Sequence, residues 1–296
     1  MFQGCYTALI TPFVNNKVDY ETFGRLIEFQ IAEGVAGVVP CGTTGESATL
    51  TEDEHHSVVE FCVKTVKGRV RVLAGTGSNS TETSVLLTRH AKAVGADGAL
   101  LITPYYNKPT QEGLYQHYRT VSEAADIPIV IYNVPGRTSV SIAPETVARL
   151  ARDCGNIIGL KDATNSLSYT SEVLAVTTGL DFDLLSGDDE TVLPLLSIGA
   201  KGVISVFSNI APRSMVTLVA AWQKGDIATA QKLHYAHLAL SKDLFIETNP
   251  APVKVAASLL GFGREDVRLP LAPLASANRQ KLLKTLRAFG FEFKGE

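Results

Sequence analysis

Eight short runs of apolar and β-branched residues recur along this chain, their starts 20 to 35 residues apart, and no other feature restricts the fold as much. They lie at about 6–12 (YTALITP), 35–41 (VAGVVPC), 70–76 (VRVLAGT), 98–104 (GALLITP), 127–134 (IPIVIYNV), 157–162 (IIGLKD), 182–187 (FDLLSG) and 202–207 (GVISVF). Each is continuous rather than alternating, as expected of a strand covered on both faces. Helical periodicity fills the gaps. Residues 20–33 put Phe23, Leu26, Ile27 and Gln30 on adjoining turns. Thr51 to Glu54 form a capping box ahead of Val58, Val59, Phe61 and Cys62. Pro144 stands where a helix would begin, and segments near 82–95 and 111–125 follow the same scheme.

One strand plus one helix occupies this repeat length, so eight units over about 225 residues predict an α/β fold of the closed (β/α)8 type, a TIM barrel. A doubly wound open sheet is the alternative. It usually has fewer strands and a glycine-rich turn after the first, whereas this first run leads into Thr11-Pro12-Phe13. Residues 212–290 read as helices only. The expected division is therefore a barrel over 1–225 and a C-terminal helical extension over 226–296 packed on it.

Composition removes several function classes. Net charge is −3, and Lys and Arg are scattered, which argues against nucleic acid or an anionic membrane as partner. No apolar run reaches the ~18 residues of a membrane span. MFQGCYTALITPF has neither a basic n-region nor a small-residue cleavage site, so a cytoplasmic location is expected. Cys5, Cys41, Cys62 and Cys154 are isolated and read as buried reduced thiols. All six histidines fall on expected helices, and His234 with His237 reads as a surface pair, so no metal site is expected. No Walker A or dinucleotide fingerprint is present, and no cofactor is expected.

In a (β/α)8 barrel the chemistry sits at the C-terminal strand ends. Those ends carry Gly42-Thr43-Thr44-Gly45-Glu46, Thr103-Pro104-Tyr105-Tyr106, Tyr132 to Thr138, Lys161-Asp162 and Ser186-Gly187-Asp188-Asp189. Lys161 is the odd residue, an amine at the tip of an apolar strand. A protonated amine in such a pocket is costly, so part of it should be neutral near pH 7 and able to form an imine with a ketone or aldehyde. The competing reading is a lysine that snorkels out of the mouth or pairs with Asp162. Tyr132, Tyr106 and Thr43 or Thr44 could shuttle protons, or could simply pack. Gly42 to Gly45 suits a small carboxylate or oxyanion, or is an ordinary turn of glycine and threonine. Arg137 suits a second carboxylate, or is a solvated loop residue. Asp188, Asp189 and Glu190 would repel phosphate, which favours a carboxylate substrate and counts against pyridoxal phosphate.

GTTGESATL (42–50), TPYYNKP (103–109), YNVPGRT (132–138), IIGLKDAT (157–164), LLSGDD (184–189), GVISV (202–206) and NPAPVK (249–254) together closely resemble the dihydrodipicolinate synthase family. The resemblance runs to about residue 290. It implies a (β/α)8 barrel with a Schiff-base lysine on the sixth strand, condensing pyruvate with L-aspartate 4-semialdehyde in the diaminopimelate route to lysine. By that resemblance Lys161 forms the imine, Tyr132 is the acid/base, and Thr44 and Tyr106 complete a proton relay. Thr43, Thr44 and the backbone near Ile204 would hold the pyruvate carboxylate, Arg137 that of the semialdehyde, and Gly187 would lend backbone at the pocket edge. The family's tyrosine at the Tyr106 position reaches into a neighbouring subunit, which implies a homodimer, usually paired into a tetramer. N-acetylneuraminate lyase and other pyruvate-dependent lyases share the lysine and tyrosine but typically lack the arginine, so Arg137 favours the synthase. Ser47, Ala48, His55, Asn79 and Tyr105 match the family's allosteric lysine site. Inhibited bacterial members commonly have a glutamate where this chain has Thr83, and often a histidine at Glu52. Weak or absent feedback inhibition is the resulting expectation.

Overall fold

A computed structural model describes residues 2–293, so the outermost positions of the two expected units, 1 and 294–296, lie outside the described residues. Among the described residues ten strands are formed: β1 Gly4–Ala8, β2 Phe13–Val14, β3 Lys17–Val18, β4 Gly37–Val39, β5 Arg71–Gly75, β6 Gly98–Ile102, β7 Ile129–Asn133, β8 Ile157–Asp162, β9 Asp183–Ser186 and β10 Gly202–Ser205. Eight of them close a parallel barrel in the order β1-β10-β9-β8-β7-β6-β5-β4. This is the expected TIM barrel, and all eight predicted runs became its strands. The first run was set too late. β1 ends at Ala8, because Pro12 has no N–H and the Ile10 N–H donates to Asn209 Oδ1 at 3.1 Å instead of to a neighbouring strand.

β2 and β3, absent from the sequence reading, form a small antiparallel hairpin. Asn15 and Asn16 turn it with φ of 51° and 62°, the left-handed region that a two-residue hairpin loop requires. Between barrel strands run α1 Tyr20–Ala32, α2 Glu52–Val66, α3 Thr81–Ala93, α4 Gln111–Ala124, the short α5 Pro135–Thr138, α6 Pro144–Asp153, α7 Leu167–Val176 and α8 Val192–Ile198. Asp19 caps α1, and the capping box at Thr51 and Glu54 opens α2 as its spacing dictated. α9 Pro212–Gln223, α10 Ile227–Asp243, α11 Ala251–Leu259 and α12 Ser276–Phe289 follow. The expectation of helices only after the last strand fails over residues 260–275. There Gly261, Gly263, Pro270 and Pro273 break helical geometry and leave turns and extended chain.

Tyr6, Val39, Leu73, Leu100, Leu185 and Ile204 fill the barrel interior. Outside it, Leu240, Val253, Leu282 and Leu286 of the last helices pack in one cluster with Leu9, Val38 and Phe207. The C-terminal extension thus shares a core with the barrel. All four cysteines are buried free thiols, as expected. His237 is not the surface residue expected. It is 2% exposed, with Nε2 2.6 Å from Ser214 Oγ across α9 and α10, because the apolar face of α10 is turned inward at that position.

Candidate active site at the barrel mouth

Strand alternation decides what the end of β8 presents. Leu160 and Asp162 face the helices, and Lys161 faces the interior beside its register partners Tyr132 on β7 and Leu185 on β9. Asp162 does not pair with Lys161. Its carboxylate accepts from Thr170 Oγ1 at 2.5 Å and from the Thr164 N–H at 2.9 Å. Lys161 is 6% exposed, so it does not snorkel into solvent. Its Nζ lies 4.0 Å from the centre of the Tyr132 ring. Two glycines make room for this strand end. A Cβ on Gly159 would sit 2.6 Å from the Asp183 carbonyl oxygen. One on Gly187 would press on Lys161 Cε at 3.1 Å, so the bare backbone of Gly187 is what the lysine stem lies against.

The loop after β4 carries Thr43 and Thr44 and is held from three sides. Thr11 Oγ1 donates to the Gly45 carbonyl at 2.7 Å. Asn249 Nδ2 donates to Thr44 Oγ1 at 3.0 Å. Glu46, 3% exposed and in the left-handed region at φ 54°, forms an ion pair with Lys254 and accepts the Arg268 N–H at 3.0 Å. Lys254 is fully buried, and burial pushes its ammonium down to about 8 against the pull of Glu46. Its Nζ also donates to the Asp266 carbonyl at 2.8 Å and lies 4.0 Å from the Phe13 ring centre. Cys41, at φ 55°, is a second left-handed residue flanking this loop. Non-glycine residues in that region carry strain that the surrounding contacts must hold.

After β7 the chain turns into α5, which carries Arg137. Asn133 fixes the return of this loop: its Oδ1 accepts the Ile142 N–H at 3.3 Å and its Nδ2 donates to Ser141 Oγ at 3.1 Å. Arg137 Nη2 donates to the Asn249 carbonyl at 3.5 Å. One residue, Asn249, therefore touches both Thr44 and Arg137. The sequence reading assigned no role to Asn249, Glu46 or Lys254. The NPAPVK and GTTGE stretches held the only signal, and nothing in a linear chain says that residues about 200 positions apart meet.

A cavity of about 480 Å³ opens at this end of the barrel, lined by Thr43, Tyr132 and Arg137. It runs on without a break to Ser47, Ala48, His55 and Tyr105, and to Glu52 and Thr83. His55 Nε2–H donates to the Gly75 carbonyl at 2.7 Å, and burial lowers its imidazole to about 4, so it is neutral near pH 7. Asn79 does not itself line this arm, although its neighbour Ser78 does; its carbonyl accepts from Asn107 Nδ2 at 2.9 Å. Ile204 is 1% exposed on β10, inside the barrel. Tyr106 is different. It has φ 69° and is 89% exposed, so within one chain it does not join Thr44.

The acidic run after β9 also departs from the sequence reading. Asp189 is 4% exposed; its Oδ2 accepts the N–H groups of Val206 and Phe207 at 3.0 and 2.8 Å, just past Ile204. Burial raises its carboxyl to about 6. Asp188 accepts the Glu190 N–H at 2.8 Å. Asp189 thus orders backbone amides and is no part of a rim, while Asp188 and Glu190 are half-buried beside it.

Comparison with known proteins covers almost the whole chain. The model of the dihydrodipicolinate synthetase family matches residues 1–289. A 4-hydroxy-tetrahydrodipicolinate synthase from Endomicrobium trichonymphae is 56% identical over 290 residues, covering 98% of this chain and 99% of that protein. The crystal structure of dihydrodipicolinate synthase from Aquifex aeolicus superposes with a TM-score of 0.97 at 49% identity, covering 99% of this chain and 100% of that one. A chloride-inhibited dihydrodipicolinate synthase from Acinetobacter baumannii, solved in complex with pyruvate, gives 0.95 at 42% identity, covering 98% and 99%. With barrel, strand-end lysine and full-length similarity in agreement, this chain belongs to the dihydrodipicolinate synthetase family.

Proposed function

We propose that this protein is a 4-hydroxy-tetrahydrodipicolinate synthase, a lyase-type enzyme that condenses pyruvate with L-aspartate 4-semialdehyde through an imine on Lys161. The observation that carries the reading is the sequestered amine of Lys161 beside the Tyr132 ring at the barrel mouth. In this reading the neutral amine adds to the keto carbon of pyruvate, and the carbinolamine loses water to give a protonated imine. Loss of a methyl proton yields an enamine, whose carbon attacks the aldehyde; the aldehyde oxygen takes up a proton. The amino group of the second substrate then adds to the imine carbon, closing a ring and releasing Lys161.

Tyr132, whose ring lies against the amine, is the proton carrier in this reading, and Thr44 extends the relay. Because Asn249 already donates to Thr44 Oγ1, the threonine's own O–H is free to donate elsewhere, which supports that role. Thr43, Thr44 and the backbone at Ile204 hold the pyruvate carboxylate, with Gly187 at the edge. Arg137, turned to the cavity, takes the carboxylate of the semialdehyde. Tyr106 completes the relay from a second copy, in a homodimer that pairs into a tetramer; its exposure on a single chain supports this. Thr83 supplies no charge to the outer arm, so lysine inhibits weakly or not at all.

The test is trapping. Incubation with pyruvate followed by borohydride should leave a reduced adduct on the peptide containing Lys161, and absence of the adduct would refute the imine. Turnover of aspartate semialdehyde without cleavage of N-acetylneuraminate separates the synthase from sialic-acid lyase chemistry. Half-inhibition by submillimolar lysine would overturn the regulatory part.

A further inference from the structure

The loop bearing Thr43 and Thr44 is fastened at two neighbouring points by a single segment, residues 249–254. Asn249 donates to Thr44 Oγ1. Five residues on, in the first turn of α11, Lys254 pairs with Glu46. The Lys254 N–H donates to the Pro250 carbonyl at 3.0 Å, which ties the two anchors into one rigid turn. The pair is 0% and 1% exposed at its side chains, and both partners are otherwise satisfied: Glu46 by the Arg268 N–H, Lys254 by the Asp266 carbonyl. Lys254 and Arg268 both lie over the ring of Phe13 from the hairpin, the Arg268 guanidinium carbon 4.3 Å from the ring centre. Arg268 in turn makes a two-pronged bond to Glu54 at the start of α2, 2.6 Å in each prong. A buried pair of this kind is a poor source of net stability but a strict positional constraint, since neither charge can move without losing its partner.

We propose that Asn249, Glu46 and Lys254 form a clamp that holds Thr44 in register with Tyr132, and that they are positioning residues for proton transfer at Lys161. The clamp rests on the reading of Lys161 given above. It acts through Thr44, not by touching substrate at the pair. A hydroxyl relay fails when one oxygen is displaced by about 1 Å, a shift worth about 100-fold in rate. Loosening the clamp therefore lowers kcat and slows imine formation, with a much smaller change in KM for pyruvate.

Lys254→Met alone strands a buried carboxylate and threatens folding, so the informative variants are the double Glu46→Gln/Lys254→Met, which removes both charges at similar volume, and Asn249→Ala. Each is first shown to be folded by its melting transition. Expected for both is a fall in kcat of about 100-fold, a matching fall in the rate of borohydride trapping of pyruvate, and an adduct still located on Lys161. Folded variants with kcat within about twofold of wild type, or with KM raised and kcat kept, overturn the clamp. If the wild-type protein itself traps no pyruvate, the reading of Lys161 falls; if it does and the variants match it, only the clamp falls.

Discussion

The nucleophile shows how much a single residue discloses. Lys161 was legible in the sequence because it interrupts an apolar strand, and its place opposite Tyr132 follows from parallel register alone. Replacing it by Met should abolish the pyruvate adduct and lower turnover by at least about a thousandfold, since a residue in the bond-making step has no substitute. Arg137→Ala should leave the adduct intact and lower kcat/KM for the semialdehyde by about 10- to 100-fold, the worth of a charged hydrogen bond, as read in steady-state kinetics. Full synthase turnover in that variant would remove Arg137 from the site. Asn249 and Glu46 were illegible for a physical reason: an asparagine before proline and a glutamate after glycine are ordinary turn residues until a distant element packs on them. Asp189 misled because a carboxylate at a strand end has two uses, and burial, which selects between them, is a tertiary property.

At the level of elements, the strand runs and helix caps were written locally and, apart from the first run, which was set too late, formed where expected. What the pattern could not supply was the path of residues 260–275, whose Arg268 reaches back to Glu54 and the Asn16 carbonyl. Helix burial sets the cost of change. Leu286 of α12 is 1% exposed in the shared cluster, and Leu286→Ala should lower unfolding free energy by about 3 kcal/mol in a denaturant titration. Buried imidazoles between elements set the acid response. His55, His117 and His237 are each lowered to about 4 by burial. The unfolded chain binds protons at these sites below its ordinary histidine range while the fold does not, so stability is lost as pH falls from about 6.5 towards 4, up to roughly 3 kcal/mol each. Asp189, raised to about 6, works the other way, favouring the fold as pH falls through that value. His90 and His234 are lowered as well, and Asp183 and Glu190 are raised beside Asp189, so the histidines outnumber the carboxylates: the melting temperature should drop on acidification through this window, and a flat or rising profile would contradict it.

The division at residue 225 is best regarded as one of roles and not of folding, given that α10, α11 and α12 share the barrel's core. We propose that the barrel without residues 226–296 does not fold; a soluble, cooperatively melting fragment 1–225 would show otherwise. The dimer can be tested by complementation. Tyr106→Phe and Lys161→Met chains are each inactive in this reading, yet mixing them should restore about a quarter of wild-type activity, since half the random pairs are hybrids and each hybrid has one intact site. No recovery would mean that Tyr106 serves its own chain or none. Among the described residues no helix is long and apolar enough to cross a membrane.

The unbroken cavity from Tyr132 and Arg137 out to Glu52 and Thr83 has a pharmacological consequence. Two weakly held fragments, one seated at each end, could be joined by a short spacer without leaving the protein. The second fragment would then bind as if present at millimolar concentration, so a linked inhibitor should outperform either half alone by about 100-fold where that fragment by itself has a Kd of about 10 μM.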